Sequence, residues 1–199
     1  MALLHSFAGA LRAQDDAVLQ SLYARMADSC VSMDYSYVMH TSDVKTAGEG
    51  SLMLQDSNYV MRGNGLQINC EGNLMWIIDP EGKEVIIQSA SEGEQAYMDN
   101  PALLFVDMPE VFKVSTVKRS GTVNTYCLSP AVACGIKTAL IDVISGISPV
   151  MTSAHFSLSE GGELDIKIKS MTFSEKKPLT SFFYDVSGLD PSWLTTDLR

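Results

Sequence analysis

The sequence predicts a mainly β domain with few helices, built on one antiparallel sheet of about eleven strands. Apolar and polar residues alternate through many short segments, which is the period of a strand with one wet face. Turn residues such as Gly72-Asn73 and Asn64-Gly65 separate these segments. From Glu163 to Lys169 charged and aliphatic residues alternate without a break, so we expect one face of the sheet to meet water.

Two helices accompany the strands. Asp15 or Asp16 caps the first helix, because apolar residues from Val18 to Met26 then recur at spacings of three and four. The dipeptide Asn100-Pro101 begins a second, short and almost wholly apolar helix that reaches Phe105, since Asn is a favoured cap and Pro a favoured first residue.

The predicted strands follow the turn signals along the chain. We place a turn at Gly48-Glu49-Gly50 and a final strand at Ser181 to Tyr184. The other strands are Val31 to Met39, Ser51 to Gln55, Tyr59 to Arg62, Leu66 to Cys70, Leu74 to Ile78, Glu84 to Gln88, Phe112 to Lys118, Thr122 to Leu128, Ile136 to Ile144, His155 to Ser159 and Leu164 to Phe173.

A sheet of this size cannot stay flat with one apolar face uncovered. It must pair with a second sheet or curl around apolar material. Two helices inside such a curl leave apolar volume unfilled, which indicates a cavity for an apolar ligand. A sandwich or barrel with a filled core is the alternative that the same pattern allows.

Length and charge exclude several classes of protein. A chain of 199 residues suits one domain with a sizeable core. The formal net charge of −10 opposes the counterion release that drives binding to nucleic acid. No uncharged apolar run reaches the roughly 18 residues that span a bilayer.

The first thirteen residues differ in composition from the rest of the chain. Residues 1–13 are small and apolar, and Gln14-Asp15-Asp16 follows at once, which resembles the boundary left by a secretory signal. The basic leading segment of such signals is missing, so an ordinary disordered N-terminus is the alternative. Residues 14–199 form the predicted domain.

Four cysteines leave the disulfide pattern open. If a hairpin turns at Pro130-Ala131, Cys127 and Cys134 stand opposite each other and a cross-strand disulfide is geometrically allowed. Two buried thiols are the equal alternative.

The residue types of catalytic and metal centres are not grouped in this sequence. His5, His40 and His155 are scattered, without metal-ligand spacing. The stretch Gly48 to Ser51 is not a nucleophile elbow, and Asp79 to Glu84 lacks the spacing of a calcium loop. We therefore predict no catalytic residues, no metal and no cofactor, and a protein that is not an enzyme.

Seven stretches of the sequence, taken in order, form a recognisable series of motifs. They are Met33-Asp34-Tyr35-Ser36-Tyr37, Gly48-Glu49-Gly50-Ser51-Leu52-Met53-Leu54, Ser57-Asn58-Tyr59-Val60-Met61-Arg62, Cys70-Glu71-Gly72-Asn73-Leu74-Met75-Trp76, Asn100-Pro101 to Phe105, Ser181-Phe182-Phe183 and Thr196-Asp197-Leu198-Arg199. In this order they resemble the LolA family of periplasmic lipoprotein carriers. The resemblance covers residues 14–199, and the hairpin that ends in Trp76 is its most specific part.

The resemblance implies an unclosed half-barrel with the short helix as a lid over an apolar cavity. It further implies a monomeric periplasmic carrier that takes acylated lipoproteins from an inner-membrane transporter to an outer-membrane acceptor. Two positions depart from the family: Asp56 stands where the family has the arginine that latches the lid, and Arg62 stands where it has a tryptophan. A related carrier of a free lipid or lipid-like molecule is therefore an alternative.

We expect the wall and lid of the lipid-binding cavity to come from apolar residues of the early strands and the short helix. Packing in an ordinary core is the alternative for each of them. They are Met33, Tyr35, Tyr37, Leu52, Leu54, Val60, Leu66, Ile68, Trp76, Ile78, Leu103, Leu104 and Phe105.

Overall fold

The computed structural model describes residues 17–90, 105 and 108–199. Helix α1 covers residues 17–27, and the short helix α2 is Met108–Val111. A 3-10 turn covers Leu179–Ser181. The strands are β1 Cys30–His40, β2 Lys45–Gln55, β3 Asn58–Gly63, β4 Leu66–Glu71, β5 Leu74–Asp79, β6 Glu84–Ser89, β7 Phe112–Ser120, β8 Val123–Pro130, β9 Ile136–Ile144, β10 Val150–Leu158, β11 Glu163–Ser174 and β12 Leu194–Asp197.

The twelve strands of the described residues belong to one sheet, in the order β12-β6-β5-β4-β3-β2-β1-β11-β10-β9-β8-β7. Two meanders, β1 to β6 and β7 to β11, meet where β1 pairs with β11. Because β7 and β12 lie at opposite ends of the order, the sheet is not closed, which confirms the predicted half-barrel class. Two details differ from the prediction: the described residues form twelve strands where about eleven were expected, and the edge strand β12 runs parallel to β6.

The inner face of the sheet carries the main core. It is the face on which Met33, Leu52 and Phe156 lie, and helix α1 packs its apolar stripe against it through Leu19 and Leu22. Both leucines are at most 1% exposed. The alternation of the strands explains this layer, since every second residue of β8, and of β9 from Ala139 to Val143, is buried on the helix side.

The outer face of β2 to β6 is covered by residues 175–193, which we call the C-terminal strap. Phe182 is 0% exposed and packs on Cys30 and Val60. Trp76 lies under Phe183, with ring centroids 5.0 Å apart in an edge-to-face arrangement. The strand predicted at Ser181 to Tyr184 was therefore wrong: this segment lies across the sheet and does not pair with it.

Buried amide side chains fasten the strap to the sheet. Gln55 Nε2 donates to the Lys177 carbonyl at 3.0 Å, and the Lys177 N–H donates to Gln55 Oε1 at 2.7 Å. Asn69 Nδ2 donates to the Phe182 carbonyl at 2.9 Å. The ion pair between Lys176 Nζ and Asp56, at 2.7 Å, lies beside them on the surface. Asp56 thus contacts the strap at the surface of the protein.

The Gln55→Ala substitution is expected to lower the free energy of unfolding by about 1–3 kcal/mol, because it leaves the backbone groups of Lys177 without partners. The neighbouring Asp56→Ala substitution removes an exposed ion pair and should cost under about 1 kcal/mol. Urea denaturation of both variants measures the difference. Equal losses of stability in the two variants would mean that the hydrogen bonds between Gln55 and Lys177 do not hold the strap.

The turn predicted at Gly48-Glu49-Gly50 was wrong, because these residues lie inside β2. Tyr37 stands opposite Gly48 and Tyr35 opposite Gly50. A Cβ atom at Gly50 would come within 2.7 Å of the Tyr35 hydroxyl oxygen. The glycines are therefore needed for the rings that cross them, and not for a turn.

The hairpin proposed for the two cysteines is also wrong. Cys127 lies in β8 opposite Leu140 of β9, and Cys134 lies in the connection between these strands. The four cysteines are not joined by disulfides. Burial raises the pKa of the Cys70 thiol to about 11, which keeps it neutral at physiological pH.

The predicted short helix lies largely outside the described residues, since Asn100 to Leu104 are not among them. Phe105 is helical and 7% exposed, in contact with the main core. Neither described helix combines the length and apolar character that crossing a membrane requires.

Candidate functional site

A cavity of about 320 Å³ lies on the inner face of the sheet. It is bounded by β1 and its two neighbours in the sheet, β2 and β11, together with β3, β4 and Phe105. Among the described residues its lining contains no charged side chain. The lining residues are Met33, Tyr35, Tyr37, Met39, Leu52, Met61, Gly63, Asn64, Leu66, Ile68, Phe105, Leu164, Ile166 and Ile168.

Seven residues of the predicted wall and lid line this cavity. They share one face of the sheet because every second residue of β1 points inward and because β2 to β4 continue the same register. These seven are Met33, Tyr35, Tyr37, Leu52, Leu66, Ile68 and Phe105.

Four other predicted residues lie elsewhere. Val60, Trp76 and Ile78 are on the outer face, beneath or beside the C-terminal strap, so their assignment to the wall was wrong. Leu54 is on the inner face and lines a neighbouring cavity instead. Leu103 and Leu104 lie outside the described residues.

The lining of the cavity becomes more exposed to solvent from one end to the other. At its inner end Met33 and Leu52 are 3% and 4% exposed. At the other end Leu66 is 42% exposed, and the side chain of Asn64 is exposed beside it. We call this cavity the tunnel: its inner end lies beside Met33 and Leu52, and its mouth lies near the turn between β3 and β4.

The mouth carries the polar groups of the cavity. Asn64 and Gly65 form the two-residue turn, with φ angles of 52° and 80°, and the Asn64 amide donates a hydrogen bond to the Tyr37 hydroxyl. The rings of Tyr35 and Tyr37 are 6.5 Å apart. Burial and the neighbouring Tyr37 raise the pKa of Tyr35, so its hydroxyl stays neutral at physiological pH.

A second cavity of about 440 Å³ adjoins the first, and Phe105 borders both. Its lining includes Tyr23 and Met26 of helix α1, but also Asp56 and Glu110. The two carboxylates make it a more polar space than the tunnel, and less suited to hydrocarbon.

Sequence reasoning missed seven of the lining residues, and three of these lie in β11. Leu164, Ile166 and Ile168 alternate with charged residues, and that period was recognised as a one-faced strand. The alternation does not reveal that β11 pairs with β1, because the paired residues Tyr35 and Ile168 are far apart in sequence. Met39 had a local signal, because it continues the spacing of Met33, Tyr35 and Tyr37.

The described residues show no arrangement suited to metal chemistry. Within residues 17–90, 105 and 108–199, no three His, Cys, Asp or Glu side chains come together as metal ligands do. His155 Nδ1 lies 2.7 Å from Asp165 Oδ1, on the face of the sheet opposite the cavity.

The fold and the tunnel define an unclosed half-barrel with an apolar cavity on its inner face. No protein-family model matches the sequence, and no curated protein matches it. Solved structures do match in fold. An uncharacterized conserved protein from Thermus thermophilus has a TM-score of 0.57 and 6% identity, and the match covers 92% of this chain and 99% of that one.

Two further structures extend the comparison. A DUF1329 family protein from Desulfovibrio piger has a TM-score of 0.51 and 9% identity, over 87% of this chain and 97% of its own. A LolA superfamily protein from Nitrosomonas europaea has a TM-score of 0.46 and 10% identity, over 85% and 97%. At these identities the likeness concerns the fold alone.

Proposed function

We propose that this protein is a carrier that shelters the acyl chains of lipoproteins and moves them through the periplasm from the inner to the outer membrane. The observation that supports the proposal is the apolar tunnel, with its uncharged described lining and a polar mouth beside Asn64. An acylated protein presents the same division, a hydrocarbon chain joined to a polar body. An inner-membrane transporter and an outer-membrane acceptor would be its partners.

The energetics of a carrier fit such a tunnel. Each methylene removed from water contributes about 0.8 kcal/mol, so a chain of roughly 16 carbons gains on the order of 10 kcal/mol when it is sheltered. Release then requires an acceptor that buries the chain equally well. A carrier of this kind needs no covalent chemistry, and the proposed role is binding alone.

The size of the tunnel favours a second candidate, a carrier of a free single-chain lipid. Its volume of about 320 Å³ is near the lower end of the roughly 300–1,000 Å³ of ligand pockets. One slender chain suits this volume better than several.

Transfer from liposomes tests the proposal and separates the two candidates. The purified full chain is mixed with liposomes that carry a triacylated lipoprotein, and the liposomes are removed by flotation. Lipoprotein recovered with the protein would support the carrier of lipoproteins. Recovery of free lipid alone would favour the second candidate, and recovery of neither would contradict both.

A further inference from the structure

The polar groups at the tunnel mouth have hydrogen-bonding capacity that the described residues do not use. Asn64 donates to the Tyr37 hydroxyl and keeps a second amide hydrogen and a carbonyl oxygen. Among the described residues, the Tyr35 hydroxyl has no hydrogen-bond partner. Since Tyr35 is half-buried on an apolar wall, a ligand atom there would gain a bond that water supplies poorly.

The backbone around these groups holds them in place. Gly48 and Gly50 leave room for the two tyrosine rings, and a Cβ atom at Gly48 would come within 3.0 Å of the Tyr37 hydroxyl oxygen. Asn64 occupies a left-handed position of a tight turn, with φ of 52°. The three side chains therefore project from rigid strands and a rigid turn.

The charged side chains of the same strands lie on the other face of the sheet. Lys169 pairs with Glu49 at 2.6 Å, and Ser170 donates to Asp34 at 2.8 Å. Neither pair lines the tunnel. A phosphate headgroup at the mouth would lose hydration without meeting a cation from the described lining, in a protein whose net charge is −10.

We propose that Tyr35, Tyr37 and Asn64 form a neutral hydrogen-bonding rim that selects acyl chains with an uncharged polar linkage, an ester or amide carbonyl with a nearby hydroxyl or N–H. This inference rests on the proposed function, because it assumes that a chain fills the tunnel. With the tail at the inner end, beside Met33 and Leu52, the linkage lies at the rim. Lipoproteins and neutral monoacyl lipids share this chemistry.

Competition against an apolar fluorescent dye, N-phenyl-1-naphthylamine, tests the selection. Monolauroylglycerol and dodecyl phosphate have chains of the same length and differ in the charge of the head. The full-length protein should bind monolauroylglycerol at least about tenfold more tightly. A lauroylated peptide amide, compared with monolauroylglycerol, shows whether a lipoprotein or a free lipid is the better source of the linkage.

Variants of the rim locate the effect. Tyr35→Phe and Tyr37→Phe keep the rings and should each weaken monolauroylglycerol binding about fivefold, with little change for the dye. Asn64→Gly keeps the turn, since glycine adopts the same φ, and should act in the same direction. Tyr184→Phe, in the strap on the outer face, is the matched control and should change nothing.

The outcomes separate the inference from the function on which it rests. Equal affinity for the two lipids, or rim variants that bind monolauroylglycerol like the unaltered protein, would overturn the inference while lipid binding stands. Failure of the dye and of every lipid to bind would overturn both.

Discussion

The Ile166→Trp variant is expected to lose at least about tenfold in affinity for a single-chain lipid. Ile166 lies in β11 between Tyr37 and Ala154, half-buried on the wall of the tunnel. An indole at this position occupies space that a ligand needs. Displacing two methylenes from the protein costs about 1.6 kcal/mol, which is more than a factor of ten in the dissociation constant. Dye competition by monolauroylglycerol measures the loss.

The same substitution on the other face of the sheet provides the control. Ile144 is 39% exposed at the end of β9, away from the tunnel lining. Ile144→Trp should leave lipid affinity unchanged. If Ile166→Trp stays folded and binds lipid as well as the control does, the ligand does not occupy this tunnel.

The Phe182→Ala variant is expected to lose about 3–5 kcal/mol in the free energy of unfolding. Phe182 is 0% exposed and fills the space over Cys30, Val60 and Met53 on the outer face. Truncation leaves a void that the rigid strands cannot close. For a chain of 199 residues the loss corresponds to a fall in Tm of roughly 6–20 °C.

The adjacent phenylalanine is a natural comparison. Phe183 is 46% exposed and contacts Trp76 edge to face. Phe183→Ala should cost about 0.5–1.5 kcal/mol, the contribution of one aromatic pair. Thermal denaturation of both variants compares the two losses of stability. A Phe182→Ala variant no less stable than Phe183→Ala would show that the strap is not anchored through Phe182.

Local periodicity was sufficient to predict most of the sheet. Strands such as Leu164 to Phe173 are recognisable because period two and flanking turn residues are local properties of the chain. The unclosed form was expected from the resemblance to a known family and not from the period. The strap was missed because it forms no strand pairing with a local pattern. Its contact with Gln55 is made through Lys177, which lies far along the chain.

The faces of individual strands were predictable only where the pattern alternates. In β1, polar Asp34 and Ser36 separate the inward residues, so the pattern alone places Tyr35 and Tyr37 on one face, and both line the inner-face cavity. In β5 the run Leu74 to Ile78 is apolar on both faces, and nothing local shows that Trp76 faces the strap. Asn64 was predicted as a turn residue, and its place at the tunnel mouth follows only from the fold.

Native mass spectrometry of the full chain with monolauroylglycerol tests the central claim most directly, that the inner-face tunnel holds one acyl chain. The tunnel predicts a complex with one lipid per protein that is strongly reduced in Ile166→Trp and retained in Ile144→Trp. A protein that stays empty at saturating lipid, or a complex of equal abundance in all three proteins, would contradict it.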